Sequence, residues 1–271
     1  MKLSIITINY NNASGLSKTI ESVVLQNSVN FEYIVIDGGS TDGSVGIIKQ
    51  YAEKITYWVS EPDNGIYHAM NKGIRIAKGE YCQFLNSGDW LADSQVVENM
   101  LKANSDSDIL IGNIISTNLN GKVRYHRSNP DISFFTFYRS TIFHTSAYIR
   151  RSLFDKFGLY DETLKIVSDW KWYLIVAGLH KADINFVNIN VCYFDTTGIS
   201  SSSKKLDIAE RRRVLEELIP SPILSDYDKF TTDIDRMTRL KKYRALYFIF
   251  WLIERVLFKI EKWDLTQKQR D

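Results

Sequence analysis

Apolar and polar positions along the first hundred residues switch repeatedly between two periods. Leu3–Ile8 is a short, mainly apolar run of the kind that fills a strand buried on both faces. Leu16, Ile20, Val23 and Val24 then return at helical spacing. Glu32–Asp37 predicts a second strand, ended by Gly38-Gly39-Ser40, and Val45, Ile48, Tyr51 and Ala52 predict a second helix. A third strand is predicted over Ile55–Ser60. A helix follows over Gly65–Ala77, with Ile66, Ala69, Met70, Gly73 and Ile74 on one face. Glu80–Leu85 predicts a fourth strand, and Val96, Val97, Met100 and Leu101 another helix. After residue 105 the pattern changes. Ile109–Ser116 and Lys122–His126 flank Asn120-Gly121, a hairpin signal. Phe134–Phe143 is dense in aromatics, Arg151–Phe157 and Asp169–Ala177 read as helices, and Ile184–Phe194 reads as a strand.

Strand–helix alternation of this kind predicts an α/β fold with a mainly parallel central sheet and flanking helices. Right-handed crossovers set the loops that follow the strands along one edge, where open α/β sheets bind their ligands. The informative residues are therefore Asn9-Tyr10-Asn11-Asn12, Asp37-Gly38-Gly39-Ser40-Thr41-Asp42, Glu61-Pro62-Asp63-Asn64 and Asn86-Ser87-Gly88-Asp89. All four loops are rich in Asn and Asp. None carries the glycine pattern of a dinucleotide-binding turn or a P-loop, which argues against both classes.

Composition adds bounds. The chain has 271 residues, 44% hydrophobic and 24% charged, as expected of one globular domain with a tail. Its net charge of +2 implies no bulk electrostatic partner, and no nucleic acid is expected. The distribution is uneven, with net −2 over residues 1–203 and net +4 over 204–271. The two cysteines, Cys82 and Cys192, lie in apolar runs and predict buried thiols of a reducing compartment rather than a disulfide or zinc site. Met1-Lys2-Leu3-Ser4-Ile5-Ile6 lacks a signal peptide's apolar length, and no apolar run reaches the ~20 residues of a membrane span. A cytoplasmic location is expected.

Five ordered segments carry a resemblance. They are Ile5-Ile6-Thr7-Ile8-Asn9-Tyr10-Asn11, Val35-Ile36-Asp37-Gly38-Gly39-Ser40-Thr41-Asp42-Gly43, Ser60-Glu61-Pro62-Asp63-Asn64-Gly65-Ile66-Tyr67, Ala69-Met70-Asn71-Lys72-Gly73-Ile74 and Phe84-Leu85-Asn86-Ser87-Gly88-Asp89. Together they resemble family 2 glycosyltransferases with a GT-A fold, over roughly residues 1–200. The resemblance implies an inverting transfer from a nucleotide-diphosphate sugar, expected to be UDP-linked. The acceptor would be a saccharide or lipid-linked saccharide of cell-surface polysaccharide synthesis. It implies a nucleotide-sugar half over 1–105 and an acceptor half over 106–203.

The resemblance also places site residues. Ile8, Asn9, Tyr10 and Asp37 would line the nucleotide pocket. Asp63, His68, Asn71 and Lys72 would flank diphosphate and donor sugar. Where the family has two adjacent acids after the second strand, this chain has Asp37 followed by Gly38. Where the family has an Asp-rich metal motif, it has Ser87-Gly88-Asp89, which leaves Asp89 as the main ligand of a divalent cation, Mn²⁺ or Mg²⁺. A hard cation there would offset charge on the leaving diphosphate. Alone, Asp89 reads better as the cap of a helix starting near Leu91, and the motif order favours the ligand role. Asp169, in Ile166-Val167-Ser168-Asp169-Trp170, matches the context of the family's base, and it would take the acceptor hydroxyl's proton. His144 resembles a residue of the acceptor side. Trp170 suits stacking on a sugar or packing in the core. Thr197-Gly198-Ile199-Ser200 resembles a segment that closes over the site.

The tail, 204–271, is expected to be helical. Residues 236–262 hold eight Lys/Arg and two Glu around the apolar run Ala245–Ile253. That pattern predicts a helix on an anionic membrane surface, placing the protein on the inner face of the cell membrane. A homodimer contact is the alternative. The altered motifs at 38 and 87 also leave open a protein of this fold that binds nucleotide sugar without turning it over.

Overall fold

The computed structural model describes residues 2–103, 106–117, 123–128, 132–196 and 203–268. The turn at Asn120-Gly121 and the segment Thr197-Gly198-Ile199-Ser200 lie outside them. By contacts, the chain divides into residues 1–211 and 212–271, so the first unit runs eight residues past the position where charge balance shifts.

The first unit is built on one mixed sheet. Strands β1 (Leu3–Asn9), β2 (Phe31–Asp37), β3 (Tyr57–Ser60) and β4 (Tyr81–Phe84) are parallel, in the order β3-β2-β1-β4. Helices α1 (Ala13–Val24), α2 (Ser44–Gln50) and α3 (Ile66–Ile76) make the crossovers. β1 is buried along its whole length, as a strand covered on both faces must be. Leu16, Ile20 and Val23 of α1 enter the core beside Leu3, Ile5 and Val35. On α3, Gly73 permits close packing: a Cβ there would lie 2.4 Å from Cγ2 of Ile6.

Two strands were not visible in the periodicity. One is β5 (Trp90–Leu91), so Asp89 does not cap a helix near Leu91; the next helix, α4 (Val96–Lys102), starts later. After β6 (Ile109–Thr117) and β7 (Val123–His126) come α5 (Phe134–Arg139) and the second unexpected strand, β8 (Ala147–Arg150). Then follow α6 (Ser152–Phe157), α7 (Ser168–Tyr173), which continues as a π turn through Leu179, and β9 (Ile184–Asp195). The sheet continues β4-β8-β6-β9-β5, with β7 on β6. β8 runs antiparallel to β4 and β6, whereas β9 is parallel to β6 and antiparallel to β5. Both free thiols are buried, Cys82 in β4 and Cys192 in β9, and burial pushes the Cys82 thiol up to about 12. A thiol so desolvated is a packing group.

Helix α8 (Lys204–Leu218) begins in the first unit and ends in the second. The second unit also contains α9 (Ser221–Lys241) and α10 (Arg244–Lys268). Arg212 pairs with Glu216 and Asp228. Leu246, Phe248, Trp251, Val256 and Phe258 of α10 are all exposed. Among the described residues, no helix is long and apolar enough to cross a membrane.

Gly73→Ala tests the α3–β1 contact. Ile6 is β-branched and fully buried in a central strand, so it has no room to retreat. Alanine should therefore cost about 1–3 kcal/mol through overpacking, despite its better helix propensity. Urea unfolding measures this, and equal or greater stability would show that the contact is not tight.

Candidate active site

The parallel strands end level, and this builds the nucleotide side. Asn9, Asp37 and Ser60 are register partners across β1, β2 and β3. Asn9 Nδ2 donates to Asp37 Oδ1 at 2.7 Å, Ser60 Oγ to Oδ2 at 2.6 Å, and Ser40 gives its N–H to Oδ2 and its hydroxyl to Oδ1. Burial opposes charge on Asp37, but these bonds from Ser40, Ser60 and Asn9 hold its carboxyl below the usual range. Asp37 is fully buried and occupied. Its bonds to Ser40 order the loop after β2. Ile8 and Asn9 are also buried, with Asn9 Oδ1 unpartnered, while the Tyr10 ring is 68% exposed and open to a base.

The loop after β3 and the start of α3 form an ionic knot. Lys72 Nζ lies 2.6 Å from Asp63 Oδ1 and 2.7 Å from Glu61 Oε1, and His68 Nδ1 lies 3.1 Å from Asp63 Oδ1. Burial opposes the Lys72 charge, but the two acids raise its pKa on balance. A phosphate reaching Lys72 would therefore compete with two carboxylates. Asn71 faces inward, 1% exposed, with its amide used by Tyr160 and Glu162. These bonds tie α3 to the loop before α7.

Beyond β4, Gly88 takes φ +105°, a left-handed conformation that favours glycine, and its N–H reaches Thr19 Oγ1 at 3.0 Å. Ser87 is held through its carbonyl by Asn12 Nδ2 at 3.1 Å. Pairing of β5 with β9 then folds this loop against the end of β9. Asp89 Oδ1 accepts from the Asp195 N–H at 2.8 Å, and a Cβ on Gly88 would lie 3.0 Å from Asp195 Oδ2. Asp89 is 4% exposed. Burial pushes its carboxyl up to about 7, eased by the Asp195 N–H and His144 and aggravated by the Asp195 carboxylate. Among the described residues no three His, Cys, Asp or Glu side chains form a metal cluster. Asp89, buried with a second carboxylate beside it, fits a hard divalent cation, which prefers oxygen ligands. Asp89 and Asp195 are the residues that would hold it.

On the acceptor side, Asp169 stands in the first turn of α7. Tyr67 OH donates to its Oδ1 at 2.9 Å, and His144 Nδ1 lies 3.3 Å from its Oδ2. Burial opposes ionisation, but the His144 bond and charge, the Tyr67 bond and the Trp170 N–H keep the Asp169 carboxyl below its usual range. Burial opposes charge on His144 in turn, yet the Asp169 bond and charge, with Asp89 adding, raise its pKa. His144 Nε2 lies 3.4 Å from Asn86 Nδ2, while Asn86 Oδ1 is buried and unpartnered. The chain Asn86–His144–Asp169 thus joins the end of β4, where Asp89 sits, to the base candidate. Trp170 is 1% exposed, with its indole N–H on Phe137 O at 2.8 Å. Its place is the core, not a sugar platform.

Sequence reasoning missed Asp195, Asn86 and Tyr67 as site residues. Asn86 and Tyr67 lay inside quoted motifs without a role. Asp195 ends an apolar strand and is brought to Asp89 by the β5–β9 pairing, which left no periodic signal.

Comparison with known proteins bears on the family and the fold. The model of the family described as glycosyl transferase family 2 matches residues 4–164, more than half of the chain. An uncharacterised glycosyltransferase of Mycobacterium tuberculosis is 33% identical over 204 residues, covering 73% of this chain and 77% of its own. A PGL/p-HBAD biosynthesis glycosyltransferase of Mycobacterium bovis is 29% identical over 175 residues, covering 62% and 66%. Among solved structures, S. aureus TarS 1–349 in complex with UDP superposes with a TM-score of 0.62 at 20% identity, covering 79% of this chain and 64% of that one. The mannosyltransferase PcManGT from Pyrobaculum calidifontis, in complex with GDP-Man and Mn²⁺, gives 0.58 at 17% identity, covering 78% and 61%. These likenesses establish the GT-A fold. The ordered motifs, the level strand ends that present them and the match over residues 4–164 make this chain a member of glycosyl transferase family 2.

Proposed function

We propose that the protein moves a sugar from a nucleotide-diphosphate donor, expected to be UDP-linked, to a saccharide or lipid-linked saccharide acceptor, by single displacement with inversion. The observation that carries this reading is the Asp169 carboxylate, half-buried yet held below its usual range by His144 and Tyr67, and tied through His144 and Asn86 to the strand end that bears Asp89. A base must be charged and fixed, and these contacts support both.

In this reading the exposed Tyr10 ring stacks on the base, and the Asn9 loop, ordered by Asp37, borders the nucleotide. The unpartnered Asn9 Oδ1 is an acceptor within that loop. Asp89 and Asp195 would hold a divalent cation, Mn²⁺ or Mg²⁺, and it would supply the positive charge that a leaving diphosphate needs. Asp169 accepts the acceptor's hydroxyl proton, and His144 and Tyr67 fix the lone pair that receives it. His68, beside Asp63, borders the donor sugar. The related structures with UDP, UDP-GlcNAc and GDP-Man support a nucleotide-sugar donor, and the PcManGT complex supports a cation. The exposed apolar side chains of α10, with the basic residues of 236–262, support contact with an anionic membrane surface, where lipid-linked acceptors reside.

Asp169→Asn should keep UDP binding and lower transfer by about 10²–10⁴-fold, assayed over UDP-glucose, UDP-GlcNAc and GDP-mannose. Full turnover in that variant excludes Asp169 as base. His144→Gln removes the main support for the Asp169 charge. The acid limb of the pH–rate profile should then move to higher pH, because a desolvated carboxyl without its partner protonates more readily. An unmoved limb would mean that His144 does not act on the base.

Asp89→Asn and Asp195→Asn should each weaken Mn²⁺ binding in the presence of UDP, read by electron paramagnetic resonance of free Mn²⁺. Undiminished binding in Asp195→Asn leaves Asp89 as the main carboxylate ligand. Transfer that needs no divalent ion removes the cation from the reading, and no turnover with any donor favours a nucleotide-sugar-binding protein.

The full chain should sediment with vesicles containing phosphatidylglycerol and not with neutral phosphatidylcholine vesicles, with binding falling as salt rises. Equal recovery from both, together with a dimer mass in light scattering, would assign α10 to a second copy.

A further inference from the structure

Helix α7 lacks a side-chain cap of its own, because its N-cap position is Val167. The amides leading into it converge instead on one carboxylate from a distant helix. Glu210 of α8 accepts through Oε1 from the Lys165 N–H at 2.8 Å. Through Oε2 it accepts from Ile166 at 3.0 Å and Val167 at 3.3 Å. This carboxylate is 8% exposed. The next residue grips the other side. The Arg211 guanidinium lies 4.7 Å from the centre of the Trp170 ring, and its Nη1 donates to Ser140 O at 3.0 Å. Two adjacent residues of α8 thus hold the chain immediately before and immediately after Asp169. Tyr67 spans the same stretch, since its hydroxyl contacts both Ile166 O and Asp169 Oδ1.

We propose that Glu210 is the positioning residue of the base: its carboxylate fixes residues 165–167 and through them the direction in which Asp169 presents its oxygens. The proposal rests on Asp169 being that base. Three successive amides, those of Ile166 and Val167 buried, need an acceptor, and bonds to an ionised carboxylate are about twice as strong as neutral ones. Its charge also faces the N-terminal end of α7, the end that favours an anion. Without Glu210 the three amides must turn toward water or other acceptors, and Asp169, two residues beyond Val167, turns with them. A displacement of about 1 Å at a reacting group can cost on the order of a hundredfold in rate, so a contact remote from the chemistry acts on kcat. Donor binding, built on β1 to β4, should be indifferent.

Glu210→Ala and Glu210→Gln in the full chain, beside Asp169→Asn, test this with kinetics and hydrogen exchange. Glu210→Ala should speed amide exchange over residues 165–169 and lower kcat by about 10–100-fold, with donor KM and the UDP thermal shift unchanged. Glu210→Gln, which keeps one acceptor oxygen, should fall between wild type and alanine, and it decides the matter if alanine does not fold. Wild-type kcat in both variants overturns the proposal, as does a loss that falls on donor KM and UDP binding. Protection of 165–169 that survives in Glu210→Ala overturns it without reference to activity. Full turnover in Asp169→Asn sinks the base reading instead, so the two failures are distinguishable.

Discussion

A carboxylate withdrawn from water must find compensation or lose its charge, and the candidate site is organised around four that meet this demand differently. Asp37 is satisfied by three side chains and a backbone N–H. Asp63 shares Lys72 with Glu61 and has His68 beside it. Asp169 has His144 and Tyr67. Asp89 has one backbone N–H and a second carboxylate nearby, and its carboxyl rises to about 7. Asp37 is complete as it stands, while Asp63 keeps one buried oxygen, Oδ2, without a partner. Asp169 is held below its usual range, as the proposed base requires. Asp89 is left undercompensated, which is why the proposed cation is assigned to it.

Sheet topology puts these groups within reach of one another. The level ends of β1, β2 and β3 bring Asn9, Asp37 and Ser60 side by side. The antiparallel insertion of β8 beside β4 brings His144, just upstream of β8, to Asn86, just beyond β4. Pairing of the two-residue strand β5 with β9 carries Asp195 to Asp89. The family match ends at residue 164, so Asp169, Asp195 and Glu210 all come from the part of the chain beyond it. The match runs through the nucleotide half and on into the acceptor half, and these three groups lie on the elements that follow it.

The reach of the first unit to Arg211 has a physical basis in the same region. Glu210 and Arg211 are needed by residues 165–170, whose amides and indole would otherwise lack partners or cover. Charge balance shifts near residue 203, but a hydrogen-bonding obligation falls seven residues later. A change of composition marks where surface character changes, and a buried ion contact marks where packing ends.

The sequence by itself determined the α/β class, the parallel half of the sheet, and the positions of the Asn- and Asp-rich loops at its carboxyl edge. Burial of whole strands and helical stripes writes a local period that survives without tertiary context. It also determined the family, because five motifs in order depend on no contact being known. Which polar residue faces ligand and which faces protein was decided only by tertiary structure. Asp37, Asn71 and Trp170 are buried with protein partners, which their local pattern does not reveal, while Asp195 and Glu210 gave no signal and Tyr67 lay in a motif without a role. The reason is that a carboxylate or an amide has the same local pattern whether it is satisfied by a neighbour 28 residues away, as Asp37 is by Asn9, or 106 residues away, as Asp89 is by Asp195. Hydrogen-bond partnership is a long-range property, and strands as short as β5 and β8 arrange it without leaving a period to read.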